Sequence, residues 1–131
     1  MKISVFGSGY VGLVAAAGFA DAGHQVQCID IDEKRVERLR AGEVPFFEPG
    51  LKEVVERAVR GRRLTFGTEL DATHRSSEVY FIAVGTPPLP DGRADVSAVH
   101  AAGETIAKIA EKPAVIGVKS TVPVGTCDKL Q

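Results

Sequence analysis

The chain has 131 residues, 44% of them hydrophobic and 25% charged, which suits one globular domain with its own core. A net charge of −1 with no basic tract argues against nucleic acid or an anionic membrane as a partner. No apolar run is long enough for a bilayer, and the amino terminus reads as a strand, not a signal peptide. Cys28 and Cys127 show neither metal-ligand spacing nor a disulfide framework, so a reducing cytoplasm is the expected compartment.

Residues 2–6 form the first predicted strand. Gly7-Ser8-Gly9-Tyr10-Val11-Gly12 follows, and a small-residue helix over 11–22 stops at Gly23. Each glycine has a steric role. Gly7 turns the chain off the strand, Gly9 lets a pyrophosphate approach the backbone, and Gly12 lets the helix lie close on the sheet. The amides opening that helix, those of Tyr10 and Val11 among them, favour a phosphate without any lysine.

A second strand over 25–30 ends in Asp30, 18 residues past Gly12, close to the spacing of an acid that binds an adenine-side ribose. A carboxylate there repels a 2′-phosphate, which favours NAD over NADP. A short helix over 33–40 turns Val36 and Leu39 inward and leaves Arg35, Arg38 and Arg40 to solvent.

From Pro49 to Arg60 the spacing predicts an amphipathic helix. Its stripe is Leu51, Val54, Val55, Ala58 and Val59, and its wet face pairs Glu53 with Arg57 and Glu56 with Arg60. Phe46 and Phe47 just before it read as a local plug. Leu64 to Phe66 is a short strand, and Thr68 with Asp71 has the form of a helix-capping box.

Val79 to Val84 is a continuous apolar run, as in a parallel strand buried on both faces. The loop Gly85 to Gly92 leads to Asp95, which can cap a helix whose Val99, Ala102, Ile106 and Ile109 face the sheet. A fifth strand covers 114–118, and another helix should begin near Thr126. Alternation of strand and helix throughout gives a doubly wound α/β fold of the Rossmann type, with strand order 3-2-1-4-5. The sixth strand of that arrangement is missing, so the chain reads as part of a larger dehydrogenase. His24, His74 and His100 lack a partner acid or cysteine at a useful spacing and read as polar side chains on the surface. Cys28 reads as a small core residue, and Cys127 as an ordinary cysteine at a helix start.

Five segments together resemble the UDP-glucose/GDP-mannose dehydrogenase family, in order and over essentially the whole chain. They are Gly7 to Leu13; Asp30-Ile31-Asp32 with Arg35; Phe47-Glu48-Pro49-Gly50-Leu51; Ile82 to Pro87; and Lys119-Ser120-Thr121-Val122-Pro123. The first motif looks most like that of members acting on UDP-glucose, with GDP-mannose and UDP-N-acetyl-sugar relatives as alternatives.

The resemblance implies a nucleotide-sugar C6 alcohol oxidised twice to the carboxylate with two NAD, by way of a cysteine-bound thioester. Carried onto this chain, it makes residues 1–131 an NAD-binding Rossmann domain. Gly7, Gly9, Tyr10, Val11 and Gly12 hold the pyrophosphate, while Asp30 and Arg35 meet the ribose. Val84, Gly85, Thr86 and Pro87 line the adenosine side, and Ser120 and Thr121 reach the nicotinamide half. The family's nucleophilic cysteine and its catalytic and sugar-binding partners fall beyond residue 131. The expectation is therefore a chain that binds NAD and catalyses nothing alone, within a complete protein that is a homo-oligomer.

Two other readings compete. A non-catalytic NAD-sensing module shares the glycine turn and Asp30 but does not need the Gly85-Thr86-Pro87 and Lys119-to-Pro123 segments. A hydroxyacid or phosphogluconate-type dehydrogenase shares the front half and diverges after the fourth strand.

Overall fold

The computed structural model describes residues 1–130. Five parallel strands, β1 (Lys2–Phe6), β2 (Gln25–Ile29), β3 (Leu64–Gly67), β4 (Val79–Ile82) and β5 (Val115–Val118), form one sheet in the order β3-β2-β1-β4-β5. Four helices connect them: α1 (Tyr10–Asp21), α2 (Glu33–Arg40), α3 (Leu51–Arg60) and α4 (Ser97–Ile109). The order reverses between β1 and β4, so the loops leaving those strands diverge to opposite faces and open a crevice at the carboxyl edge.

Alternation along each strand sorts side chains onto two faces. Ile3, Val5, Val26, Cys28, Leu64 and Phe66 point to one side, where Leu13, Ala16, Ala17 and Ala20 of α1, Val36 and Leu39 of α2, and Val55 and Ala58 of α3 cover them. The run of alanines lets α1 lie close to the strands. Phe6, Ile29, Tyr80 and Ile82 point the other way and meet Val99, Ala102 and Ile106 of α4.

No α-helix covers that second face under the middle of β1 and β2; the segment from 68 to 78 does, and its polar groups need partners there. Ser4 Oγ lies 2.8 Å from Ser77 Oγ, and Gln27 donates to the Glu69 carbonyl at 3.1 Å while accepting from the Asp71 amide at 3.0 Å. This explains why two polar residues sit in otherwise apolar buried strands.

Several expectations are corrected here. No helix follows Thr68. Asp71 instead accepts from the His74 amide at 2.9 Å, ordering a single 3-10 turn, His74–Ser76. His74 does not lie on the surface: it is 5% exposed, and its Nδ1 lies 2.9 Å from Asp71 Oδ1. Burial pushes the Asp71 carboxyl up, but hydrogen bonds and charge from His74 outweigh that and leave it below its ordinary value.

Pro49 lies before α3 rather than in its first turn, because Gly50 at φ +80° makes a left-handed turn first. Arg57 does not pair with Glu53. It crosses to Asp21 on α1 at 2.7 Å, and Glu56 turns to Lys52 at 3.9 Å. The plug divides as well: Phe46 packs on the Tyr10 ring, with centroids 5.1 Å apart, while Phe47 is 89% exposed.

β4 is fully buried on one face only. Tyr80 and Ile82 are enclosed, whereas Val79 and Phe81 are half-buried, Phe81 stacking on Phe19 at 4.9 Å. Beyond it, β5 pairs with β4 alone and leaves Val115 65% exposed. An uncovered apolar edge strand is a template for association. Sedimentation velocity should therefore show self-association that grows with concentration and weakens in Val115→Lys; a strictly monomeric wild type at high concentration would refute it.

Candidate functional site

All five strands run the same way, so the residues that follow them line one edge of the sheet. Gly7 follows β1, Asp30 follows β2, Ala83 to Pro87 follow β4, and Lys119 to Thr121 follow β5. The predicted site residues are thus brought together at the carboxyl edge, on both sides of the switch between β1 and β4.

The glycine turn is built as its spacing predicts, though its closest neighbour was not foreseen. Gly7 has φ +102°, and a Cβ there would stand 2.5 Å from the Ala83 carbonyl oxygen. Gly12 is tighter still, since its Cβ would lie 1.8 Å from the Gly7 carbonyl oxygen. These two glycines let β1, α1 and the end of β4 meet. Gly9 differs: nothing lies within 4 Å of its Cβ position, so its bareness leaves open space in front of the turn. It is also the N-cap of α1, and no side chain caps that helix. Orphan amides, a helix dipole and open space in one place suit an anion.

Asp30 is 8% exposed and aimed at this turn. Its Oδ2 accepts from the Ser8 amide at 2.8 Å, the Ser8 hydroxyl at 2.7 Å and Arg35 Nη1 at 3.2 Å. Oδ1 accepts from the Asp32 amide at 3.0 Å. Burial pushes the carboxyl up. The Ser8 hydroxyl, the Asp32 and Ser8 amides and the Arg35 charge reverse that, and it rests below its ordinary value. Asp30 is therefore ionised at neutral pH. The stability that these contacts confer is complete above the ordinary value of 3.8 and is lost as pH falls through the lower folded value.

Arg35 does more than face solvent: it pairs with Asp30 and reaches Asp32 at 3.9 Å, while Asp32 caps α2 by accepting the Arg35 amide at 3.1 Å. The Tyr10 hydroxyl donates to Glu48 Oε2 at 2.6 Å, tying the Phe47-to-Leu51 segment to the first residue of α1. That bond and the Glu48 charge raise the Tyr10 pKa.

On the far side of the switch, the motifs after β4 and β5 are laced to each other. Thr86 Oγ1 donates to the Thr121 carbonyl at 3.0 Å, and Ser120 Oγ donates to the Val84 carbonyl at 2.7 Å. Both hydroxyls thus align these loops, which leaves backbone and exposed faces to line the crevice. Cys28 is 1% exposed, its thiol pushed up to about 12 by burial and by the Asp30 charge, so it supplies no thiolate. No group of His, Cys, Asp and Glu suited to a metal occurs among the described residues, and no described helix is long and apolar enough to cross a membrane.

Sequence reasoning missed Ser8 as a partner of Asp30, Ala83 as the surface against Gly7, and the Tyr10–Glu48 tie. A polar residue between two glycines was the single available hint, and only for the first.

An open turn beside a fixed, ionised carboxylate fits an NAD molecule. Comparison with known proteins agrees. The model of the UDP-glucose/GDP-mannose dehydrogenase family, NAD binding domain, matches residues 1–131. The UDP-glucose 6-dehydrogenase of Pseudomonas aeruginosa is 46% identical over all of this chain and 29% of its own length. That of Rhizobium meliloti is 48% identical over all of this chain and 30% of its own. The structure of a UDP-glucose dehydrogenase from Pyrobaculum islandicum superposes with a TM-score of 0.87 at 45% identity, over 95% of this chain and 30% of that one. The chain thus spans about 30% of the length of the relatives it matches. It belongs to the UDP-glucose/GDP-mannose dehydrogenase family, through that family's NAD-binding domain.

Proposed function

We propose that residues 1–131 are the cofactor domain of a cytoplasmic, homo-oligomeric nucleotide-sugar dehydrogenase that oxidises UDP-glucose to UDP-glucuronate with two NAD. One observation carries the reading: a buried, ionised Asp30 held 2.7 Å from the Ser8 hydroxyl, inside the turn that would take the pyrophosphate. Identities of 46% and 48% to UDP-glucose 6-dehydrogenases favour UDP-glucose over other sugar nucleotides.

When bound, NAD supplies the hydride acceptor for oxidation of an alcohol carbon. This chain's residues bind and orient it. Gly7, Gly9 and Gly12 shape the turn, and the Tyr10 and Val11 amides face the phosphates. Asp30 accepts from the ribose hydroxyls, with Arg35 beside it. Val84, Gly85, Thr86 and Pro87 line the adenosine side, and Ser120 and Thr121 border the nicotinamide half. The Thr86–Thr121 and Ser120–Val84 bonds support this by holding the two loops in register.

Cys28 is buried and protonated and does not serve as the nucleophile of this reading. Calorimetry on this chain should show NAD binding, and incubation with UDP-glucose and NAD should form no NADH. Turnover would place catalytic groups within these residues and overturn the assignment; absence of NAD binding would overturn the cofactor role.

A further inference from the structure

We propose that the Ser8 hydroxyl is a positioning group for Asp30, deciding which carboxylate oxygen meets the ribose and how strongly NAD is preferred to NADP; this rests on the NAD-binding reading. The turn motif asks only for glycines at 7, 9 and 12 and leaves position 8 free. In this chain position 8 carries a side chain 1% exposed, directed at the one acid that would touch the ribose.

The arithmetic of acceptor sites argues the point. A carboxylate offers about four lone-pair positions, two per oxygen. Oδ2 already takes three donors, the Ser8 amide, the Ser8 hydroxyl and Arg35, whereas Oδ1 takes only the Asp32 amide. Oδ1 is therefore the oxygen with capacity for a ribose hydroxyl. Rotation about the terminal torsion of an aspartate is broad, so one backbone donor does not pin it. A second donor from the same residue does.

Arg35 is a poorer fixture, since its side chain is 41% exposed and water competes for it. The Ser8 bonds also join the phosphate turn directly to the ribose acid. The spacing between the two halves of the cofactor site is then set inside the protein before any ligand arrives. The charged and titratable groups around the carboxylate are Arg35 and Asp32 from the start of α2 and Cys28 from β2. Among the groups on Oδ2, the Ser8 hydroxyl alone is neutral, buried and removable without altering the backbone.

The test titrates NAD and NADP into wild type, Ser8→Ala and Ser8→Cys by calorimetry across acid to neutral pH, with thermal melts alongside. Ser8→Cys keeps the volume but offers only a weak donor, so it reads the hydrogen bond even if the alanine variant folds poorly. Both variants should bind NAD about three- to tenfold more weakly, a factor on the scale of one ordinary net hydrogen bond, because the lost bond orients the acid and does not itself touch the ligand. Their NAD-to-NADP ratio should fall, and the acid limb of NAD binding should move to higher pH because Asp30 loses a donor that lowers its pKa. A lower melting temperature with unchanged affinities, ratio and pH limb would mean a purely structural serine and overturn the proposal. If wild type binds no NAD, the cofactor reading itself falls, and that outcome is distinct from unaltered binding by the variants.

Discussion

Asp30→Ala should weaken NAD binding by roughly 1–3 kcal/mol, the range for removing an acceptor from buried donors, and should abolish discrimination against NADP. Two effects add. The ribose hydroxyls lose their acceptor, and the Ser8 amide and hydroxyl, buried and 2.7–2.8 Å from the missing oxygen, lose theirs. The second effect loosens the glycine turn as well, so the phosphate end suffers too. NADP should bind the variant no worse than the wild type, because the fixed negative charge that opposes a 2′-phosphate has gone and Arg35 is released from its ion pair. Parallel calorimetric titrations with the two cofactors check this. A variant that keeps the wild-type preference for NAD would show that Asp30 does not read the ribose.

The largest expected stability effect is at Gly12. Helix propensity alone makes glycine to alanine inside a helix favourable by about 1 kcal/mol. At Gly12 sterics win, since the added carbon would lie 1.8 Å from the Gly7 carbonyl oxygen, a backbone atom with nowhere to move. Overpacking of this kind costs about 1–3 kcal/mol or more, so Gly12→Ala should be destabilised by roughly 2 kcal/mol net and lose NAD binding. The melting temperature should fall by about 6–12 °C.

Gly18, in the same helix, is the internal control. Nothing lies within 4 Å of its Cβ position, and Gly18→Ala should stabilise the chain by about 0.5–1 kcal/mol. Gly9→Ala should leave the melting temperature nearly unchanged yet impair NAD binding, because its Cβ would point into the open space before the turn. Similar responses at positions 9, 12 and 18 would refute this division of labour.

Local information was enough for much of this molecule. Short apolar runs placed the strands, periodicity near 3.6 placed the helices, and their alternation along most of the chain pointed to a parallel sheet with right-handed crossovers. The strand order and the glycine turn followed, as did Asp30 at the end of β2. Where local reading failed, a short-range rule was outbid by a long-range contact. Arg57 has an acid four residues away on its own helix but reaches Asp21 on α1. Asp71 was assigned to a capping box with Thr68, yet it serves a buried histidine because the 68–78 segment folds over Ser4 and Gln27.

By itself, then, the order of residues determined the fold class, the sheet edge that carries the candidate site and the carboxylate that stands there, since these depend on backbone sterics and patterning within a few residues. Only the tertiary structure decided how that edge is wired. Ser8 and Asp30 are 22 positions apart, Tyr10 and Glu48 are 38, and Thr86 and Thr121 are 35. A hydrogen bond forms only within about 3 Å, a separation that depends on how helices and strands pack rather than on any spacing along the chain.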